Sequence, residues 1–265
     1  MRTWVVAVLE LVGALILARV IVWAEPPATE HGEHGVAMPG MAGAPRPDVL
    51  WTWPVYAGIA VTVVAVVWWL LSRQAGAAVV CSIAITTCAA SQPVRVLATQ
   101  SHLIAMVVLE LLMVVTPLLV VTVLSRPTGV RPASRRGWWS LVVGSALAYS
   151  ALLIALHIPA VHHRGVELGV APQWVALAAP LIGIGYWFGV LNTAEVVSVK
   201  ARRASLLGAQ EVAAFIGLLT LFAAWGGTDH HSPLGIPAVW DQVLGGLLMM
   251  ATCAAVAIPL ARRMR

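Results

Sequence analysis

Eight histidines and eight methionines carry most of the ligand chemistry of this 265-residue chain. Near the start the sequence reads Glu30-His31-Gly32-Glu33-His34, followed by Met38-Pro39-Gly40-Met41. Imidazole binds both oxidation states of copper, and paired thioethers select the softer Cu(I). His31, His34, Met38 and Met41 therefore form a donor set suited to capturing copper and handing it on, with glycines that let the ligands converge. The same segment also reads as a polar linker with incidental His and Met.

Further along, His102, Met106, Glu110 and Met113 are offset by four, eight and eleven residues from the first. At 3.6 residues per turn this spacing predicts one helical stripe. Glu110 would lie about 12 Å deeper than His102 at 1.5 Å per residue, and a carboxyl at such depth normally faces the interior of a bundle. His102 and Met106 form the best embedded ligand pair, against the plainer reading of an interfacial histidine and two core methionines. His157, two residues before Pro159, stands at a helix end. His162 and His163 read more readily as loop residues, as do His230 and His231.

In the last apolar stretch, Trp240-Asp241-Gln242-Val243-Leu244-Gly245-Gly246-Leu247-Leu248-Met249-Met250, Asp241 is expected to cap its own helix. Gly245 and Gly246 permit close helix packing. Met249 continues the Asp241/Gly245 stripe, and Asp241 and Met249 are both candidate metal ligands. Cys81, Cys88 and Cys253 all sit in apolar segments and imply no disulfide framework. Cys81 and Cys88 share a face but lie roughly 10 Å apart along a helix, so packing is the better reading of that pair.

These residues must be positioned by helices in a bilayer. The chain is 60% hydrophobic and 10% charged, which is incompatible with a hydrated soluble surface along most of its length. A hydrocarbon layer roughly 30 Å thick takes about 20 apolar residues per span. Apolar stretches at Trp4 to Trp23, Leu50 to Leu71, Gly76 to Ala90, His102 to Leu124, Trp138 to Pro159, Gln173 to Leu191, Leu206 to Trp225 and Trp240 to Leu260 predict an all-α polytopic transmembrane bundle of seven or eight spans. The third, short and containing Ser82, Thr86 and Thr87, is the weakest of them. Residues 1–24 read as a first transmembrane helix or a signal peptide, and Glu10 and Arg19 favour a retained helix. Residues 25–49, rich in proline, form an outer His/Met-rich loop, and residues 50–265 form the bundle.

The formal charge of +5 comes from clusters between apolar runs, so it reports topology, with no nucleic-acid role. Arg73, Arg126, Arg131, Arg135, Arg136, Lys200, Arg202, Arg203, Arg262, Arg263 and Arg265 fall on one side, which is therefore expected to be cytoplasmic together with the C-terminus. All eight histidines fall on or near the other side.

The run Asp241-Gln242-Val243-Leu244-Gly245-Gly246-Leu247-Leu248-Met249 resembles the Asp-Gln-x-Leu-Gly-Gly-x-x-Met signature of the multi-span CtaG family, associated with assembly of copper-containing cytochrome c oxidases. Ser101-His102 leading to Thr116-Pro117-Leu118-Leu119 is similar to the family's histidine-bearing helix, and His157-Ile158-Pro159 to its His-x-Pro helix end. The resemblance spans roughly Trp51 to Leu260. It departs from the family where Met106 replaces a second histidine and where Val175 and Ala176 stand in place of a Glu-His pair.

The resemblance implies a membrane copper-handling assembly factor in a bacterial-type cell membrane, with a cytochrome c oxidase subunit or other respiratory complex as partner. Copper handover by ligand exchange needs no covalent chemistry, so no enzymatic activity is expected. Three other readings stay open. They are a copper transporter using Met106, Glu110, Met113, Met249 and Met250, a haem-binding redox protein with His102 and His157 as axial ligands, and a structural partner of a respiratory complex.

Overall fold

The computed structural model describes residues 53–126, 128–158, 170–223 and 233–264. The first span, the loop bearing His31, His34, Met38 and Met41, and the residues His162, His163, His230 and His231 lie outside the described residues.

Among the described residues all regular structure is helical: α1 (Trp53–Ser72), α2 (Ala75–Ala90), α3 (Gln92–Gln100), α4 (His102–Glu110), a π-helical turn (Leu111–Val115), α5 (Thr116–Val121), α6 (Pro132–His157), α7 (Gln173–Asn192), α8 (Val199–Ala223) and α9 (Ala238–Arg263). Five helical stretches in this portion are long and apolar enough to cross a bilayer: His102–Val121, Ser134–His157, Gln173–Asn192, Val199–Phe222 and Ala238–Arg263. The pair α2 and α3 makes a sixth if it counts as one span, although its halves meet at 63°. The protein is thus a helical bundle with a multi-pass membrane character. Large apolar side chains remain exposed along its flanks, Leu71 at 82% and Leu181 at 69% among them, as expected of surfaces that face lipid tails.

The break between α2 and α3 follows from local chemistry. Ser91 is extended, and its hydroxyl and amide both return to the Cys88 carbonyl, while Pro93 starts the next helix. α3 is polar and short. Arg95 ties it to the start of α7, donating from Nε to the Ala171 carbonyl at 2.7 Å, while the Ala171 amide donates back to the Arg95 carbonyl.

The π-helical turn has an equally local cause. Pro117 has no N–H to offer the Met113 carbonyl four residues back, and the Thr116 amide reaches five residues back to Leu111. Trp187 of α7 supplies the missing donor, its indole Nε1 bonding the Met113 carbonyl at 2.9 Å. Gly183, one turn earlier on α7, makes this approach feasible. A Cβ there would lie 2.5 Å from Pro117 Cγ and 2.8 Å from the Met113 carbonyl oxygen.

At the far end of the bundle, Asn192 caps α5 through the carbonyls of Val121 and Leu124, and the Arg202 guanidinium caps α7 through the Val190 carbonyl. Arg126, Arg131, Lys200, Arg203, Arg262 and Arg263 gather at that end, opposite His102 and His157. The core between the two ends centres on Met113, Tyr149, Tyr186, Trp187 and Met249.

Candidate functional site

His102 opens α4 because Ser101, extended at its N-cap, accepts the Ile104 amide on its hydroxyl at 3.1 Å. The Ser101 hydroxyl in turn donates to Oδ1 of Asp241 at 2.6 Å. Asp241 Oδ2 accepts the His102 amide at 2.6 Å and, more weakly, that of Leu103 at 3.4 Å. A carboxylate 4% exposed therefore sits over the N-terminus of α4, where helix amides and dipole favour a negative charge. This corrects the expectation from sequence. α9 has Pro237 at its N-cap and no side-chain cap, and Asp241 serves the neighbouring helix. With both oxygens committed, its part at the site is to hold the backbone of His102 in place.

One turn on, Gly245 makes room for the imidazole. A Cβ at this position would fall 2.5 Å from His102 Cδ2 and 3.3 Å from Met106 Cγ. Its neighbour Gly246 faces the other way, where a Cβ would fall 2.6 Å from the Gly217 carbonyl oxygen on α8. The two glycines thus serve different interfaces, and Asp241 and Gly245 are the α9 residues set against the start of α4.

His157 ends α6 at the same level. Its ring centre lies 6.3 Å from that of His102, with the planes at 78°. His157 Nδ1 lies 2.7 Å from the Leu153 carbonyl. A carbonyl only accepts, so Nδ1 carries the proton in this contact. Metal-ligating histidines are commonly fixed by such a bond. The Nε2 atoms of both rings are shielded from solvent.

Both histidines and Met106 line a cavity of about 940 Å³ that reaches along α4 and α8. Its walls are mainly apolar; Thr99, Thr220 and Gln242 add polar groups near the histidines, and Glu211 lies deeper on α8. Glu211 stands mid-way along α8, and the fold places it on the cavity wall. Val175, where the CtaG resemblance calls for a charged residue, also lines the cavity.

The predicted stripe divides. His102 and Met106 reach the cavity, whereas Glu110 and Met113 are not among its lining residues. The π-helical turn after Glu110 widens the helix and re-aims Met113, which packs 1% exposed beneath Gly183. Met249 is likewise a core side chain, 1% exposed and close to Gly217.

Among the described residues no group of three or more His, Cys, Asp or Glu side chains is arranged to hold a metal ion. What the fold brings together is two imidazoles and one thioether. No family model, curated protein or solved structure matches this chain.

Proposed function

We propose that this chain is a membrane copper-handling factor whose His102, His157 and Met106 cluster receives the ion and passes it to a partner by ligand exchange. The observation that carries the reading is the His102–His157 separation. An ion about 2 Å from each of two imidazole nitrogens holds ring centres at most roughly 6 Å apart, and the observed 6.3 Å stands at that limit. A two-imidazole, one-thioether set favours copper, above all Cu(I), over ions that demand oxygen ligands.

The CtaG-like motifs support an oxidase subunit or another respiratory complex as the recipient, and a divergent membership of that family. The arginine bias supports seven or eight spans with the histidine end extracytoplasmic and the C-terminus cytoplasmic. In this reading His31, His34, Met38 and Met41 capture copper before it reaches the cluster. The test is copper stoichiometry of the purified protein with His102→Ala and Met106→Leu combined. One bound equivalent is expected to disappear, and cellular oxidase is expected to lose copper. Unchanged stoichiometry and unchanged oxidase copper would rule the reading out.

A second reading has one specific observation in its favour. The same ring separation suits two axial ligands on one haem iron, and the cavity volume lies within the range of cofactor sites. Purified protein showing a haem Soret band would establish it, and colourless protein would remove it.

A further inference from the structure

We infer that the cavity beside the histidines is a lipid site, taking an uncharged amphiphile with one hydrocarbon tail. Its head lies against Gln242, and its tail runs down the slot between α4 and α8. The inference goes beyond the copper reading and does not depend on it, since the residues that carry it lie outside the proposed ligand set.

α4 and α8 each pack on α9, and α8 also packs on α6, but α4 and α8 do not pack on each other. Their facing sides form the long walls of the cavity instead. On α8 the lining includes Gly208, Val212, Phe215, Ile216, Leu219 and Thr220, the three- and four-residue spacing of one helical face. From Gly208 to Thr220 that face is about 18 Å long at 1.5 Å per residue. Ala105, Leu109 and Leu112 make the apolar wall opposite. A slot of this length and lining, in a molecule surrounded by lipid, suits a hydrocarbon chain. The volume of about 940 Å³ is near the upper end of the roughly 300–1,000 Å³ of small-molecule sites.

Hydrogen-bonding groups gather at one end, beside the histidines. The Thr99 and Thr220 hydroxyls donate to the Val96 and Gly217 carbonyls, which leaves their oxygens to accept. Gln242 is half-buried on the same lining, and its carboxamide has no hydrogen-bond partner among the described residues. It therefore offers a head group both a donor and an acceptor. Among the described residues no Lys or Arg lines the cavity, and its one carboxylate side chain, Glu211, lies towards the far end. An anionic head finds no counter-charge there, and a cationic head would be drawn away from Gln242. A neutral oxygen-bearing head fits, whether the carbonyl of a quinone or the hydroxyls of a monoacylglycerol.

The experiment uses the full chain, stripped of copper, in phosphatidylcholine nanodiscs, with empty nanodiscs as the blank. Four tritiated probes share a dodecyl-length tail: a quinone, a monoacylglycerol, a fatty-acid anion and an alkylammonium. Saturable binding of one equivalent of the quinone or the monoacylglycerol is expected, and the tighter of the two identifies the source of the head. Gln242→Leu should weaken that binding roughly threefold to tenfold, the loss of one hydrogen bond. At Gly208 an added Cβ meets nothing within 4 Å, so Gly208→Phe fills the far end of the slot. It should weaken a dodecyl quinone more than a methyl-tailed one. No binding of either uncharged probe above the blank, binding of a charged probe as tight or tighter, or dodecyl binding indifferent to both substitutions would overturn the site. Copper stoichiometry plays no part in these readouts, so the two readings fail separately.

Discussion

Asp241 was legible in the sequence as a helix-capping acid, but its target was not. Capping rules are local, reaching three residues along one chain, whereas the groups Asp241 holds lie 139 and 140 positions away. Replacing it by alanine strands the Ser101 hydroxyl and the His102 amide in the bundle. A loss of about 1–3 kcal/mol is expected, read as a lower unfolding temperature in detergent together with weaker copper binding. Gly245 makes a sharper prediction, because its added Cβ would collide with the His102 ring. Gly245→Ala should reduce copper binding with helix content unchanged. Gly144→Ala, where nothing lies within 4 Å of the added atom, should leave binding intact and stabilise α6 by roughly 0.5–1 kcal/mol. Equal effects of the two substitutions would contradict the packing described for Gly245.

At the scale of elements, hydropathy placed the stretch from α4 through α5, and helices α7 and α9, to within a few residues of their ends, because an apolar run of span length has few alternatives; it missed the polar first turns of α6 and α8, which begin at Pro132 and Val199 rather than at Trp138 and Leu206. It also missed what proline does to the interior of a span. The stripe from His102 to Met113 assumes a uniform 3.6-residue turn, and Pro117 removes the donor that would maintain it. The fold answers with a π-helical turn and an indole from another helix, neither visible in a local window. Trp187→Phe leaves the Met113 carbonyl without its donor and should destabilise the bundle by about 1–3 kcal/mol. Trp187→Phe combined with Pro117→Ala restores a backbone donor and should recover part of that loss. Full additivity of the two changes in thermal unfolding would argue against the coupling. The bend at Ser91 escaped for a related reason, since α2 and α3 differ in polarity and only together approach a span.

For the whole molecule, the sequence separates a basic end from a histidine-bearing end, and the helices of the described portion keep that separation. Which end faces the cytoplasm is an inference from charge bias, and labelling tests it. With the native cysteines replaced, a membrane-impermeant maleimide added to intact cells should modify a cysteine placed at Gln100, near the histidines, and spare one placed at Ser134, beside Arg135 and Arg136. The reverse pattern would invert the orientation and remove extracytoplasmic capture.

The central claim is that His102, His157 and Met106 share one copper ion. X-ray absorption at the copper edge of the purified full chain tests it most directly. Imidazole scattering from two rings plus a sulfur shell is expected, with one imidazole lost in His157→Gln and the sulfur contribution reduced in Met106→Leu. A copper environment of oxygen ligands alone, or a spectrum unchanged by His157→Gln, would contradict it.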